Sequence, residues 1–254
     1  GGVSTSNNNT AIGAIGTIGN APGGGGSGGF AGSNGSTKTG GAGADGQVVL
    51  TYTIAATWNG TAWSNSTGPD STIEAVITGN YSTAAKGGFS AKKLTINSGG
   101  ALTINSGTNV TVKNEVINNA GTNGLVVENN ANLIQQNNTI NTGMITVKRN
   151  SSSLFKLDYT LWSSPLVNPA QSLFTFSPLT VLTRFYNYNT STNLYNYVTS
   201  PSTTPFSKGT GYLIRMPNTA DSITATSYPG VFIGVPNNGT VTKSVTYLDA
   251  THGY

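Results

Sequence analysis

Residues Lys92–Asn150 read KKLTINSGGALTINSGTNVTVKNEVINNAGTNGLVVENNANLIQQNNTINTGMITVKRN. Apolar–polar–apolar triplets recur in this stretch: Leu94-Thr95-Ile96, Leu102-Thr103-Ile104 and Val110-Thr111-Val112. Each is followed by Asn, Ser, Gly or a charged residue, and the triplets begin eight residues apart. A strand triplet plus a turn uses that length, so each unit reads as one side of a coil. Three sides make a coil of about 24 residues, inside the range of about 20–50 usual for structural repeats. Leu102 and Leu125 then fall one coil apart. Strand alternation points Leu and Ile inward and Thr95, Thr103 and Thr111 outward. Asn97-Ser98-Gly99-Gly100 and Asn105-Ser106-Gly107 tolerate the left-handed backbone that corners require. The stretch predicts a right-handed parallel β-helix, a solenoid, over residues 55–150. Such a fold needs capped ends, and the aromatic opening Thr57-Trp58-Asn59-Gly60-Thr61-Ala62-Trp63 is a natural cap.

The rest of the chain agrees with an all-β fold. Only 8% of its 254 residues are charged, against roughly 25% in an ordinary soluble domain. Asn, Ser, Thr and Gly supply the polarity instead, and Asn and Gly disfavour helices while Thr, Val, Ile and Tyr favour strands. The formal charge of +4 comes from 12 cations against 8 anions spread along the chain. A nucleic-acid binder concentrates its cations among aromatic residues, so no nucleic-acid partner is expected. There is no cysteine, which excludes thiolate metal sites and leans towards a bacterial rather than an animal extracellular protein. No apolar run is long enough to span a membrane. Gly1-Gly2-Val3 is an unusual start, so the chain is expected to be a mature or trimmed piece.

Two further regions flank the solenoid. Residues 1–54 form a glycine-rich segment, densest at Ala21–Phe30, in which the run Ala11–Gly19 places an isoleucine before each glycine. It reads either as a flexible linker or as an ordered layer of extended chains packed closely where no Cβ intervenes. The segment ends in Gln47-Val48-Val49-Leu50-Thr51-Tyr52-Thr53-Ile54, expected to be a strand. Residues 151–254 hold nearly all of the later aromatics: sixteen of the chain's 22 follow residue 154. Alternation in Arg184-Phe185-Tyr186-Asn187-Tyr188 and Leu194-Tyr195-Asn196-Tyr197-Val198, joined by Asn189–Asn193, predicts a hairpin. Further short strands at Gly209–Arg215 and Gly230–Gly234 predict a β-sandwich-like domain. Thr246–Tyr254 enters what reads as another strand, so this domain is expected to be truncated.

The order of motifs is familiar. Thr57-Trp58-Asn59-Gly60 and Trp63 come first, then Ala75-Val76-Ile77-Thr78-Gly79-Asn80-Tyr81 and the Leu-Thr-Ile coils. Leu161-Trp162-Ser163-Ser164-Pro165, Arg184-Phe185-Tyr186-Asn187-Tyr188 and Lys208-Gly209-Thr210-Gly211-Tyr212-Leu213-Ile214 complete it. Over residues 48–254 this resembles large cell-surface proteins of Bacteroidota, which look like cargo of the type IX secretion system, gliding-type adhesins included. The resemblance implies an extracellular or outer-surface location and contact with secretion and outer-membrane machinery. It also implies a structural role as stalk, filament or attachment segment. In that family a sorting domain lies at the far C-terminus, and more sequence is expected to follow.

Catalysis is weighed against this. Glycoside hydrolysis needs two carboxylates about 5–10 Å apart. The solenoid offers Asp70, Glu74, Glu115 and Glu128, dispersed along the chain. His252 is the only histidine, and no Gly-x-Ser-x-Gly elbow accompanies it. No catalytic residue, metal ligand or cofactor is assigned, and a non-enzymatic protein is expected. An ice-binding face would need threonines in flat ranks, whereas a spacing of eight sends Thr95, Thr103 and Thr111 to different faces. Trp58, Trp63, Tyr186, Tyr188, Tyr195 and Tyr197 are candidate carbohydrate contacts, the bland reading being core and cross-strand packing. Asp70-Ser71-Thr72 and Asp221-Ser222-Ile223 resemble O-glycosylation sites of Bacteroidota, making Ser71 and Ser222 the candidate positions. The expected partners are polysaccharide or further copies of the chain. The alternative is a carbohydrate-active or carbohydrate-binding β-helix module.

Overall fold

The computed structural model describes residues 13–33, 35, 37–50, 52 and 54–246. The chain divides into two units, Gly1–Tyr52 and Thr53–Tyr254. In the first, residues 13–20, 24–31 and 38–45 run as three extended passes, and each pass bonds to both others. Ala14 and Phe30 exchange backbone bonds of 3.1 and 3.0 Å, Gly16 N donates to Thr39 O (2.9 Å), and Gly41 N donates to Ser27 O (2.8 Å). A Cβ on Gly16 would overlap Ser27 O and Gly41 N, and one on Gly41 would overlap Thr17 O. Gly13, Gly16 and Gly19 recur every third residue, the period of an extended helix with about three residues per turn. Glycine is thus required where the backbones touch.

The expected strand at Gln47–Ile54 is absent among the described residues of that stretch, with Thr51 and Thr53 outside them. Val48 is 87% exposed and Leu50 84%. β propensity makes no strand without a partner ladder. The ladder starts only where a partner arrives, with Glu74 N donating to Ile54 O at 3.1 Å.

The second unit opens with the solenoid. Its strands are β1 (Ala55–Trp58), β2 (Glu74–Ile77), β3 (Asn80–Ser82), β4 (Phe89–Ala91), β5 (Leu94–Ile96), β6 (Ala101–Ile104), β7 (Asn109–Val112), β8 (Val116–Asn118), β9 (Leu125–Val127) and β10 (Asn132–Gln135). Parallel pairing sorts them onto three faces: β1-β2-β5-β8, β3-β6-β9 and β4-β7-β10. Leu94, Leu102 and Val110 therefore lie on three different faces, as the spacing of eight requires. Leu102 pairs with Leu125 one coil on, and Leu94 with Val116. Leu94, Ile96, Leu102, Ile104, Val110 and Val112 are fully buried, and the threonine between each pair points out. Thr103 has Ser82 and Val126 as rank neighbours and Thr111 has Ser90 and Ile134, so no threonine rank forms. Corners repeat with the coils: Gly107 and Asn130 both take positive φ, and Gly107 N donates to Asn130 O (3.0 Å). Asn132 Nδ2 donates to Asn109 Oδ1 at 2.9 Å, an asparagine rung between coils.

β11 (Ile145–Leu154) carries the second face onward by pairing in parallel with β9. Along most of its length it also pairs antiparallel with β17 (Thr226–Pro236). A boundary drawn between residues 150 and 151 thus falls inside one strand, because the antiparallel partner comes from the far end of the chain. Between these come β12 (Tyr159–Trp162), β13 (Leu166–Val167), β14 (Phe185–Asn189), β15 (Leu194–Tyr197) and β16 (Tyr212–Arg215). β13 adds to β17, while β12-β16-β14-β15 form a separate antiparallel sheet. Trp162 of that sheet meets Phe232 of β17 at 6.0 Å, and Phe206 bridges Tyr212 (5.5 Å) and Phe232 (5.3 Å). Helix is confined to short turns such as Thr83–Lys86 and Leu173–Phe176.

Candidate carbohydrate-contact surface

The sheet β12-β16-β14-β15 has one buried and one open face, and strand parity assigns its side chains. Phe185, Trp162, Tyr212 and Ile214 are buried. Every second position points the other way. Register across the strands lays these outward residues in rows. Leu161 is opposite Leu213, Leu213 is opposite Tyr186, and Tyr186 is opposite Tyr197. Tyr188 and Tyr195 form the next row. Tyr159 and Arg215 form the row on the other side.

The four predicted tyrosines are therefore brought together on one surface. Ring centroids lie 6.4 Å apart for Tyr186 and Tyr197 and 5.3 Å apart for Tyr188 and Tyr195. Tyr159 joins them, 6.0 Å from Tyr186. Tyr195 is 46% and Tyr197 42% exposed, enough to present ring surface to a ligand. The Tyr188 hydroxyl bonds Asn193, which holds the hairpin turn in its positive-φ conformation. Arg184 Nη1 donates to the Tyr186 hydroxyl at 3.4 Å, and that bond, with the field of Tyr159 and Tyr186, raises the guanidinium pKa. Below the tyrosines a cleft of about 660 Å³ opens between Leu161, Tyr188, Tyr195, Thr210 and Lys243.

The two tryptophans belong elsewhere. Trp58 is 3% exposed, its Nε1 donates to Asn80 O (2.8 Å), and Lys86 Nζ sits 5.4 Å over its ring. Trp63 (5.5 Å) and Tyr81 (5.0 Å) pack on its ring, and Phe89 packs on those two at 5.5 and 5.3 Å. This cluster closes the start of the solenoid. No face of Trp58 is left for a sugar, which corrects its candidacy: closing an open coil end takes the same large flat side chain that stacking on a sugar does. Trp63 is half-buried in the same cluster.

The carboxylates serve local structure. Glu115 pairs with Lys93 (3.4 Å) and Glu128 with Lys148 (2.8 Å). Asp70 Oδ1 accepts from Thr72 Oγ1 (2.6 Å) and Thr72 N (2.7 Å), and Asp221 Oδ1 from Ile223 N (2.6 Å), bonds that lower both pKa values. Each turn presents its serine, Ser71 or Ser222, as an exposed tip. Among the described residues no three His, Asp or Glu side chains gather, and no helix is long and apolar enough to cross a membrane. His252 lies outside the described residues.

Sequence reasoning missed Tyr159, Leu161, Arg184, Leu213 and Arg215 as members of the tyrosine face. Arg184 lies in a 3-10 turn just before β14, which strand alternation does not predict; the others need the β12–β16 pairing. It also missed Arg149, whose guanidinium donates to Glu128 O (3.0 Å), Lys148 O (2.7 Å) and Ala131 O (2.9 Å) near the last coil. Partial burial lowers its pKa.

Residues 50–253 match the model of a family described as a domain of unknown function (DUF8693). No curated protein and no solved structure matches the chain.

Proposed function

We propose that this chain, which belongs to the DUF8693 family, is a non-enzymatic attachment segment of a bacterial cell surface. It is secreted, as cargo of the type IX system of a Bacteroidota bacterium, and acts as a stalk that carries a polysaccharide-contacting face. The observation that carries the reading is the outward row of Tyr186, Tyr188, Tyr195 and Tyr197 on one sheet. Rings laid side by side offer apolar planes with hydroxyl rims, which suits the faces and edges of sugar rings. The solenoid gives that face a continuous buried core to stand on. Residues 151–246 act as a sandwich-like head, a reading supported by the aromatic core between β17 and the tyrosine-bearing sheet. Ser71 and Ser222, raised on exposed aspartate turns, carry O-linked glycan; the intact mass of native protein equal to the bare chain removes that part of the reading.

The test is binding to a polysaccharide array by the wild-type protein and by Tyr195→Ala/Tyr197→Ala. Both tyrosines are exposed, so the variant keeps its circular dichroism. Binding to surface glycans that the variant loses supports the reading. Wild-type protein that binds no glycan, variant binding equal to wild type, or new reducing ends released from a bound polysaccharide overturns it.

A further inference from the structure

We infer that the tyrosine face selects an acidic polysaccharide, with Arg184 and Arg215 taking its carboxylates while the tyrosines stack on its rings. The inference rests on the carbohydrate reading above and names the ligand class for that surface. Arg184 ends a 3-10 turn, Leu182–Arg184, that leads into β14, and it interacts with both Tyr186 and Tyr159. Arg215 is in turn paired with Tyr159. Two arginines therefore meet the same tyrosine, Tyr159, at the edge of the tyrosine face.

Among the described residues no carboxylate pairs with either. The ion pairs among the described residues are Lys93–Glu115 and Lys148–Glu128, both in the solenoid and its continuation. Among the described residues the Arg215 guanidinium reaches only Asn218 Oδ1, at 3.4 Å, and its buried Nε has no partner. Arg184 is exposed and held by the Tyr186 hydroxyl, so it is aimed rather than consumed. The acids nearest in sequence, Asp158 to Arg184 and Asp221 to Arg215, accept backbone bonds from Phe155 N (2.8 Å) and Ile223 N (2.6 Å). Two arginines without an acidic partner beside one tyrosine suit an anion, and the guanidinium fork fits a carboxylate bidentately.

The geometry suits a linear polymer. Outward rows on a strand are about 7 Å apart. A chain lying along β14 meets the arginines, then Tyr186 and Tyr197, then Tyr188 and Tyr195. Lys243 stands at the cleft beyond. Single-stranded nucleic acid also stacks on aromatics beside arginine, but it binds by neutralising many phosphates along a basic track, and this face carries two arginines and one lysine. The proportion of rings to charges favours a polymer with spaced carboxylates.

The experiment measures affinity for three immobilised probes: polygalacturonate, neutral dextran and oligothymidylate. Wild type and Arg184→Gln/Arg215→Gln are compared, with melting curves confirming the fold. Wild type is expected to prefer polygalacturonate over dextran by about tenfold or more, and to lose that preference as salt rises. The arginine variant is expected to lose the preference while keeping its dextran binding. Equal wild-type affinity for the acidic and neutral polymers overturns the acidic ligand and leaves the carbohydrate reading standing. A preference unchanged in the arginine variant, or tighter binding to oligothymidylate than to polygalacturonate, also overturns it. Binding to neither polysaccharide overturns both readings.

Discussion

The solenoid and the hairpin β14–β15 use the same alternation of residues for opposite ends. In β6, Ala101–Ile104, Leu102 and Ile104 face inward and are sealed, and the side chain between them is a small threonine. In β15 every residue of Leu194-Tyr195-Asn196-Tyr197 is exposed. The solenoid strand has neighbours above, below and behind it. The hairpin strand is the last in its sheet, and Tyr195 and Tyr197 on it stay exposed. Alternation by itself says that a strand has two sides; whether the bulky side is core or contact surface depends on what lies behind it. The comparison predicts a steep gradient in what a substitution costs.

The largest effect belongs to the sealed coil. Leu102→Ala removes a fully buried side chain stacked on Tyr81 and Leu125. The expected loss is about 2–5 kcal/mol, the range for leucine truncation in a packed core. Urea unfolding measures it as a lowered midpoint. A loss below about 1 kcal/mol would mean that the coil relaxes around the gap, and the contrast with the hairpin would weaken.

Next comes Arg149→Met at the end of the coils. Methionine keeps much of the arginine's apolar bulk but donates nothing. Glu128 O, Lys148 O and Ala131 O lose their shared donor, and Ala131 is wholly buried. The expected cost is about 1–3 kcal/mol by the same unfolding measurement. Faster amide exchange localised to β9, β10 and β11 would place the effect at the coil end, whereas uniform exchange would assign it to the whole unit.

Tyr197→Ala in the hairpin is expected to cost less than about 1 kcal/mol, the worth of one exposed cross-strand pair with Tyr186. Its effect on glycan binding should exceed its effect on stability. The reverse result would return the tyrosines to a purely structural role.

The same gradient explains what was legible in the sequence. Coil length could be read from Leu94, Leu102 and Val110 because each solenoid strand sees the same neighbours one coil away, and local spacing carries the whole rule. Trp58 and Tyr197 could not be told apart that way. Both are aromatics beside an asparagine, Asn59 and Asn196, and only the packing of Trp63, Tyr81 and Lys86 around Trp58 separates them. Arg149 and Arg215 were hidden for a related reason, since their partners are carbonyls and a strand that lie far off in sequence or carry no side-chain signal. The segment Gln47–Ile54 shows the limit from the other side: high propensity without a ladder leaves Val48 and Leu50 in solvent.

The smallest effect comes from acid, and it lies on the surface of the solenoid. Asp70 accepts from Thr72 N at 2.7 Å and Thr72 Oγ1 at 2.6 Å. Both bonds favour the charged carboxylate, so its folded pKa lies below the usual 3.8. A lowered folded pKa means that the unfolded chain takes up the proton first as pH falls. The contribution to stability is therefore complete above the ordinary carboxylate range, and it fades as pH drops through 3.8 towards the folded value. Full exposure to solvent keeps it slight. Asp70→Asn keeps an acceptor for Thr72 N and has no proton to take up there. Unfolding midpoints at pH 6 and at pH 3 should fall further in wild type than in the asparagine variant. Asp221→Asn should behave alike, because backbone bonds from Ile223 and Thr224 hold its carboxylate in the same manner. Equal acid sensitivity in wild type and both variants would show that these turns carry no charge-dependent stability. Ser71 and Ser222 would then be positioned by the backbone alone.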